Sequence, residues 1–267
     1  MLGDITLGQF YPANSVIHRL DPRTKIVLAM VLIVGLFVAN SFYSYLACTL
    51  FIALAVVLSK VPVSFIFKGL KPLLFIMIFT ALINIFLTDG RTLFKIWFIR
   101  ATYEGVVTAF VMVLRLFLLV TSTSVLTLTT SPIMLTDGIE HLLKPLRVIK
   151  VPSHEIAMMM TIALRFIPTL LEETDKIIKA QSARGADFTT GNLLQRAKAM
   201  IPILIPLFIS SFKRADELAT AMECRCYRGG EGRTKLKVLK FKARDYIAFL
   251  TILGLIVLII ILNICAG

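Results

Sequence analysis

Residues 26–59 read IVLAMVLIVGLFVANSFYSYLACTLFIALAVVLS and contain no charged side chain. A helix needs about 20 apolar residues to cross a bilayer, so this stretch is too long for one span. Asn40 and Ser41 offer a turn near its middle. The stretch therefore predicts two membrane-spanning helices, over about 25–39 and 43–59.

Three further apolar runs predict three more spans, which makes five in all. They cover about 72–88, 104–130 and 246–262. Asp21-Pro22 and Ser131-Pro132 each combine a residue that caps helices with a proline suited to the first helical position. Each pair predicts that a helix begins there.

Composition favours the same class of protein. The chain is 57% hydrophobic and 17% charged, whereas soluble domains average about 45–50% apolar and 25% charged residues. The net charge of +13 comes from basic residues beside apolar runs, without a base-stacking motif, so no nucleic-acid partner is expected. Basic flanks of membrane helices face the cytoplasm. They predict a cell-membrane protein with a cytoplasmic N-terminus and an external C-terminus.

The predicted fold class is an all-α membrane protein with three regions. Residues 1–130 form an N-terminal membrane region of four spans, 131–245 a cytoplasmic helical domain, and 246–267 the last span. Two apolar pieces of the middle region, 156–171 and 199–212, are shorter than a typical span. They are assigned to cytoplasmic helices, because the segment between them is basic.

Two long helical arms are predicted in the middle region, over about 152–183 and 193–226. Gly185 follows the first arm and Gly229-Gly230 follow the second, as expected of helix ends. Each arm also ends with an arginine among small residues. These arginines are Arg184 and Arg225.

The terminal arginines have two interpretations. A cation in the last turn of a helix is favoured by the helix dipole alone, so either arginine taken singly needs no function. As a pair, their planar guanidinium groups are suited to binding carboxylates on two partner sites.

No catalytic centre, cofactor or metal site is expected. Cys224 and Cys226 form a lone C-x-C, whereas a structural zinc site needs four ligands. The chain has no Gly-Lys dipeptide and hence no P-loop for ATP. Arg115 lies well inside a predicted span and is a possible intramembrane polar site. Its alternative role is structural, bonding the hydroxyls or carbonyls of a neighbouring span.

The motifs together resemble the transmembrane T component of energy-coupling factor (ECF) transporters. They are HRLDPRTK (18–25), LTLTTSP (126–132), EHLLKPL (140–146), IALRFIPTLL (162–171), AQSARG (180–185) and AMECRCYRGG (221–230). The resemblance implies a non-catalytic scaffold for vitamin or micronutrient uptake. It would join two ABC-type ATPases, which hydrolyse the ATP, to a membrane S component that binds the substrate.

The same resemblance implies which residues couple to the ATPases. They are Ala183, Arg184 and Gly185 in the first arm, and Cys224, Arg225 and Cys226 in the second. The second triplet matches the family pattern at the arginine only, because cysteines replace both small neighbours.

Two rival functions predict different sequences. The permease subunit of a conventional ABC importer would carry polar residues along several spans, and the first three spans show almost none. An intramembrane enzyme would need paired catalytic residues within the spans, and Arg115 has no such companion there.

Overall fold

The structure is a computed structural model that describes residues 10–96, 99–149, 152–186, 188, 192–229 and 239–266. Apart from connecting segments and one two-stranded hairpin, these residues are helical, which confirms the predicted all-α membrane class. In chain order the elements are α1 (Pro22–Val38), α2 (Phe42–Ser59), α3 (Val63–Leu70), a 3₁₀ turn (Lys71–Leu73), α4 (Leu74–Leu87), β1 (Thr92–Ile96), β2 (Ile99–Thr102), α5 (Tyr103–Thr129), α6 (Pro132–Leu143), a second 3₁₀ turn (Lys144–Ile149), α7 (Ser153–Ala183), α8 (Leu193–Cys224) and α9 (Ala243–Ala266).

The described residues fall into two compact units. One holds α1 to α5, the hairpin and α9, and the other holds α7 and α8. Helix α6 begins in the first unit and ends in the second. The division of the sequence at residues 130 and 245 stays a prediction.

Both predicted helix starts are confirmed. The Asp21 carboxylate accepts the backbone N–H of Arg23 at 3.0 Å, and Pro22 is the first residue of α1. At α6, the hydroxyl of Ser131 accepts the N–H of Met134 at 3.4 Å. These side chains satisfy N–H groups that have no acceptor within their own helix.

Four helices of the first unit, α1, α2, α5 and α9, share an apolar core. Leu36, Cys48, Leu118 and Ile259 each supply a side chain that is almost completely buried. Large apolar side chains also cover much of the outer surface, for example Phe75 on α4 and Leu250 on α9. Such a surface suits lipid, because lipid tails are as apolar as leucine.

Helices α1 and α9 run parallel. At one end the N–H of Asp21 donates to Oδ1 of Asp245 at 2.8 Å, and at the other end Nδ2 of Asn263 donates to the Val38 carbonyl at 2.8 Å. The two helices therefore begin at the same end of the unit.

Helices α2 and α5 run in the opposite direction to α1 and α9. Ser44, at the start of α2, donates its hydroxyl to Oδ1 of Asn263 near the end of α9 at 2.8 Å. Lys25, at the start of α1, donates to the carbonyl of Thr129 at the end of α5 at 2.8 Å. This alternation is consistent with helices that cross a bilayer in turn.

The predicted third span, 72–88, corresponds to α4, and the longer apolar segment Val63–Leu87 that contains it is interrupted before α4 begins. The chain enters it as α3, passes through the 3₁₀ turn at Lys71–Leu73 and continues as α4. Pro72 lies in that turn, where its missing N–H cannot complete a regular helical bond.

Five helical segments are long and apolar enough to cross a membrane. They are Phe42–Ser59, Val63–Leu87, Tyr103–Thr129, Ser153–Ala183 and Ala243–Cys265. Four of them match predicted spans, whereas α1, at 17 residues, extends about 25 Å, less than the hydrocarbon core of about 30 Å. Helix α7 completes the five instead. The assignment of α1 as a span and α7 as a cytoplasmic arm stays a prediction.

A short antiparallel hairpin joins α4 to α5, where the sequence predicts only a loop. Its pairing runs from Thr92 opposite Thr102 to Ile96 opposite Ile99. Strands this short contain too few residues for an alternating pattern to stand out in the sequence.

Candidate functional site

The first arm, α7, ends in a cap that presents Arg184 to the surface. The N–H of Gly185 donates to the Ser182 carbonyl at 3.0 Å, and the N–H of Ala186 donates to the Gln181 carbonyl at 3.0 Å. Gly185 has a φ of +89°. These two bonds and a left-handed residue form a Schellman cap, in which glycine avoids the clash that a Cβ atom would cause.

The second arm, α8, ends in the same cap. The N–H of Cys226 donates to the Glu223 carbonyl at 2.8 Å, and the N–H of Tyr227 donates to the Met222 carbonyl at 3.0 Å. Cys226 occupies the left-handed position, with a φ of +56°. A side chain other than glycine, asparagine or aspartate is uncommon in this backbone conformation.

The sequence prediction for the end of α8 is wrong in one respect. It assigns the closing glycine to Gly229-Gly230, whereas Cys226 holds that position in the structure. Gly229 follows three residues later, and Gly230 lies outside the described residues. The Schellman bonds fix the cap next to the last helical residue, so a more distant glycine cannot serve it.

The two triplets implied by the resemblance occupy equivalent positions. Ala183 and Cys224 are the last helical residues, Arg184 and Arg225 are the cap residues, and Gly185 and Cys226 adopt the left-handed backbone. All six residues are exposed. The cysteines therefore preserve the backbone geometry of the first triplet.

In the part of the chain that the structure describes, neither guanidinium group forms an ion pair with another side chain. Both Arg184 and Arg225 are exposed at the negative end of a helix dipole, which favours their charge. Arginine presents five N–H donors in a planar fork that matches a carboxylate. Each arm thus ends in an exposed cationic tip.

The two arms lie antiparallel within their unit. Glu173 of α7 forms an ion pair with Arg214 of α8 at 2.7 Å and accepts a hydrogen bond from the Ser210 hydroxyl. Further along α7, Nε2 of Gln181 donates to the carbonyl of Pro202 at 3.4 Å. As the residue number rises in α7 it falls in α8, so the two arginine tips lie at opposite ends of the pair.

A proline creates one of these links. Pro206 has no N–H and cannot bond the Pro202 carbonyl as a residue four positions later normally does. The Gln181 side chain supplies a donor to that carbonyl. Gln181 therefore holds the arms together with its side chain and closes the α7 cap with its backbone carbonyl.

The sequence interpretation missed the residues that join the arms. Glu173, Ser210 and Arg214 are scattered among other polar residues, and neither their spacing nor their type marks them as partners. Their one available signal is position, since each follows a helix proline by one to two turns. Pairing across two helices cannot be derived from periodicity within one.

Arg115 lies far from both tips in sequence and bonds within the membrane region. Its Nε donates to the Tyr45 hydroxyl at 2.9 Å, and its Nη2 donates to that hydroxyl and to the Ala39 carbonyl, the latter at 3.3 Å. The guanidinium also lies 5.8 Å from the centre of the Phe37 ring. Ala39 is the cap residue after α1, so its carbonyl receives no hydrogen bond from an N–H of that helix.

A buried polar junction lies between the start of α1, the end of α5 and the segment that precedes α1. The ammonium group of Lys25 donates to the Thr129 carbonyl at 2.8 Å, and to Oγ1 of Thr130 and the His18 carbonyl at 3.3 Å each. These three acceptors match the three protons of the ammonium group. The HRLDPRTK motif thereby ties the N-terminal segment to the end of α5.

His18 holds the segment in front of α1. Its Nε2 donates to the Tyr11 carbonyl at 2.9 Å, and its Nδ1 accepts from the Ser15 hydroxyl at 2.7 Å. Burial lowers the pKa of His18 below its ordinary value, the charge of Lys25 lowers it further, and the bond to Tyr11 opposes the shift. In the neutral form, with the proton on Nε2, the imidazole makes both bonds.

Cys224 and Cys226 belong to no cluster of metal ligands among the described residues. Among the residues that the structure describes, no three His, Cys, Asp or Glu side chains are placed to hold a metal ion. Cys224 and Cys226 are both free thiols.

Comparisons with known proteins cover almost the whole chain. The sequence model of the CbiQ family, described as a cobalt transport protein, matches residues 13–236. Three similar proteins share the name energy-coupling factor transporter transmembrane protein EcfT. The one from Ruminiclostridium cellulolyticum is 60% identical over 245 residues, which is 92% of each chain. Those from Clostridium kluyveri and Bacillus subtilis are 57% and 47% identical, covering 100% and 98% of this chain and 100% of each relative.

Proposed function

Since this chain belongs to the CbiQ family and, within it, to the transmembrane EcfT proteins of energy-coupling factor transporters, we propose that it is a scaffold between ATPases and a substrate-binding subunit. It is a multi-pass membrane subunit of a transporter. In the proposal, two ABC-type ATPases bind its arms in the cytoplasm. A membrane S component that binds a vitamin or another micronutrient occupies its membrane region.

The observation that carries the proposal is the repetition of one cap at two helix ends. Arg184 and Arg225 hold the same position in two Schellman caps, and both guanidinium groups are exposed. The helix dipole explains one such arginine, but it does not require the same backbone geometry twice. Two equivalent tips suit two equivalent acidic grooves, as a pair of ATPases would provide.

The spacing of the tips also supports two separate docking sites. Glu173 of α7 and Arg214 of α8 form an ion pair. Arg184 lies about three helical turns, or about 16 Å, beyond Glu173, and Arg225 lies equally far beyond Arg214. Because the arms are antiparallel, these distances add to a separation on the order of 30 Å. One small partner surface could not contact both tips.

The chain itself is proposed to take no part in ATP hydrolysis. It lacks the glycine-lysine sequence of a P-loop, so phosphate binding falls to the partners. We also assign Arg115 a structural role, because its donors are directed to Tyr45 and to the carbonyl that ends α1. In this assignment, Arg115→Ala should lower the stability of the folded chain in detergent, and a loss of transport with unchanged stability would oppose it.

The proposed orientation places the arms and the N-terminus in the cytoplasm and the C-terminus outside. The basic residues that flank α1 and α9 favour this arrangement. The parallel course of α1 and α9 agrees with it, since both helices would then leave the cytoplasmic side in the same direction.

The direct test is affinity purification of the tagged chain from native membranes, followed by identification of the co-purifying proteins. The proposal expects two ATPase subunits and one small membrane protein with high affinity for a micronutrient. A conventional ABC importer would instead yield a second permease subunit and no S component. Purification of the chain without any ATPase would contradict the proposed function.

A further inference from the structure

We propose that Glu173 and Arg214 are positioning residues that fix the register of the two arms, so that Arg184 and Arg225 move as one body. This inference rests on the proposed docking of both arginines. It adds the element of the scaffold that would make the two docking events dependent on each other.

The Glu173 carboxylate accepts hydrogen bonds from two residues of α8. Nη2 of Arg214 lies 2.7 Å from Oε2 of Glu173, and the Ser210 hydroxyl donates to Oε1 of the same carboxylate. Both lone-pair faces of the carboxylate are therefore engaged by α8. A bond made by two donors one helical turn apart resists both sliding and rotation of α8 against α7.

The two arginine tips are equally distant in sequence from the ion pair. Arg184 follows Glu173 by the same number of residues as Arg225 follows Arg214. The pair thus lies midway between the tips, so it constrains each arm at the same distance from its arginine.

Both arms need an added constraint near the Glu173–Arg214 pair, because prolines weaken each helix there. Prolines interrupt both helices just before it: Pro168 lies in α7, and Pro202 and Pro206 lie in α8. A helix with an internal proline loses a backbone bond and bends more easily. Much of the apolar surface of α8 around these prolines is exposed in this unit, for example at Ile205 and Phe208, so apolar packing alone does not set the register.

The experiment measures the distance between the arms in the complex purified with its ATPases. Spin labels are placed at two exposed sites, Ser182→Cys on α7 and Ala221→Cys on α8, after Cys224, Cys226 and Cys265 have been replaced by Ala, Gly and Ala. Pulsed electron resonance then gives the distribution of label-to-label distances. The intact pair should give one narrow distribution.

Charge reversal of either partner should broaden that distribution. Glu173→Arg and Arg214→Glu each place like charges together, and the population at altered distances should rise by about two- to fivefold, as expected for a partly exposed ion pair. Combining the two substitutions restores opposite charges and should restore the narrow distribution. Glu173→Gln, which keeps the shape of the side chain, provides a milder variant if a reversal prevents folding.

Matched controls are the exposed neighbours Glu172→Arg and Lys213→Glu, which make the same charge changes one residue away. The inference predicts that they leave the distribution narrow. It is overturned if reversal at Glu173 or Arg214 has no effect, if the controls broaden the distribution equally, or if the double variant fails to restore it. Absence of ATPases from the unmodified complex would instead remove the proposed function, so the two failures are distinguishable.

Discussion

The backbone N–H of Asp21 donates to Oδ1 of Asp245 at 2.8 Å, so a buried hydrogen bond joins the start of α1 to the start of α9. The other carboxylate oxygen of Asp245 accepts the N–H of Lys242 at 2.8 Å. One side chain thus satisfies donors at the starts of two helices that are distant in sequence. This bond closes the membrane region at the end where the polar junction lies.

Replacing Asp245 should destabilise the membrane region. Asp245→Ala removes both acceptors and should lower the free energy of unfolding by about 2–3 kcal/mol, because it leaves two N–H groups without partners. Asp245→Asn keeps one acceptor oxygen and should cost about half as much. Denaturant unfolding in detergent measures both, with the exposed Asp216→Ala as the control. Equal effects at Asp245 and Asp216 would show that the bond contributes nothing.

Stability should fall in mildly acidic solution because of His18. Its pKa is lowered in the folded chain by burial, so the unfolded chain binds the proton more readily. Protonation of His18 therefore leaves the free energy of unfolding unchanged above the ordinary pKa of 6.5 and lowers it as the pH drops below that value. His18→Gln, which keeps a donor and an acceptor without titrating, should flatten the decline in melting temperature between about pH 7 and pH 5.5. Identical slopes for both proteins would exclude His18 as the cause.

The cap of α8 should become more stable when its left-handed residue is glycine. Cys226→Gly removes a Cβ atom at a φ of +56° and should gain about 0.5–1 kcal/mol after the added freedom of the unfolded glycine is counted. Gly185→Ala makes the reverse change at the cap of α7 and should lose about 1 kcal/mol. No described atom lies within 4 Å of a Cβ built at Gly185, so that loss would report backbone strain alone.

Hydrogen exchange at the cap donors, Tyr227 in one arm and Ala186 in the other, reads out these two changes separately. Slower exchange at Tyr227 in Cys226→Gly and faster exchange at Ala186 in Gly185→Ala are expected. Unchanged exchange in both variants would mean that a side chain at the left-handed position does not destabilise the cap. Cys224→Ala with Cys226→Gly should also retain the co-purifying ATPases, since it restores small neighbours around Arg225.

Patterns confined to one helix were sufficient to predict most of the fold. The uncharged stretch that became α1 and α2, and the starts at Asp21 and Ser131, follow from local rules of hydrophobicity and capping. The hairpin before α5 was missed because its strands are too short to show a pattern. The sequence therefore determines element positions well and short connections poorly.

The arginines at the arm ends were predictable from the sequence, whereas the residues that join the two arms were not. Arg184 and Arg225 were identified because each ends a long helix among small residues. The Glu173–Arg214 pair depends on how two helices lie against each other, and no spacing within either helix encodes that. Cys226 as a cap residue was missed because glycine is the usual signal for a left-handed position, and two glycines follow nearby.

Native cysteines allow the proposed orientation to be tested without added reporters. Cys224 and Cys226 are exposed at the tip of α8, Cys265 is exposed at the end of α9, and Cys48 is buried. A membrane-impermeant maleimide should label Cys265 in intact cells and the tip cysteines only after permeabilisation, because the proposed orientation places the basic flanks in the cytoplasm. Cys265→Ala should abolish labelling of intact cells. Labelling of the tip in intact cells would place the arm outside and remove the docking proposal.

Charge reversal of the two tip arginines should detach the ATPases. Removing one partner of a desolvated, hydrogen-bonded charge pair typically costs about 2–5 kcal/mol, so Arg184→Ala or Arg225→Ala should each weaken co-purification of the ATPases. Arg→Glu should be more severe because it adds repulsion to an acidic groove. Arg→Lys should rescue only partly, since a lysine cannot reproduce the planar fork that bonds a carboxylate twice.

The control for this series is Lys179→Glu, the same reversal at an exposed position on the shaft of α7. It should leave the ATPases bound, whereas Arg184→Glu with Arg225→Glu should lose them and keep the S component, which is proposed to contact the membrane region. The caps themselves should survive in every variant, because their bonds are made by the backbone. If the double reversal still captures both ATPases, the arginines serve only to neutralise the helix ends, and docking must occur elsewhere on the scaffold.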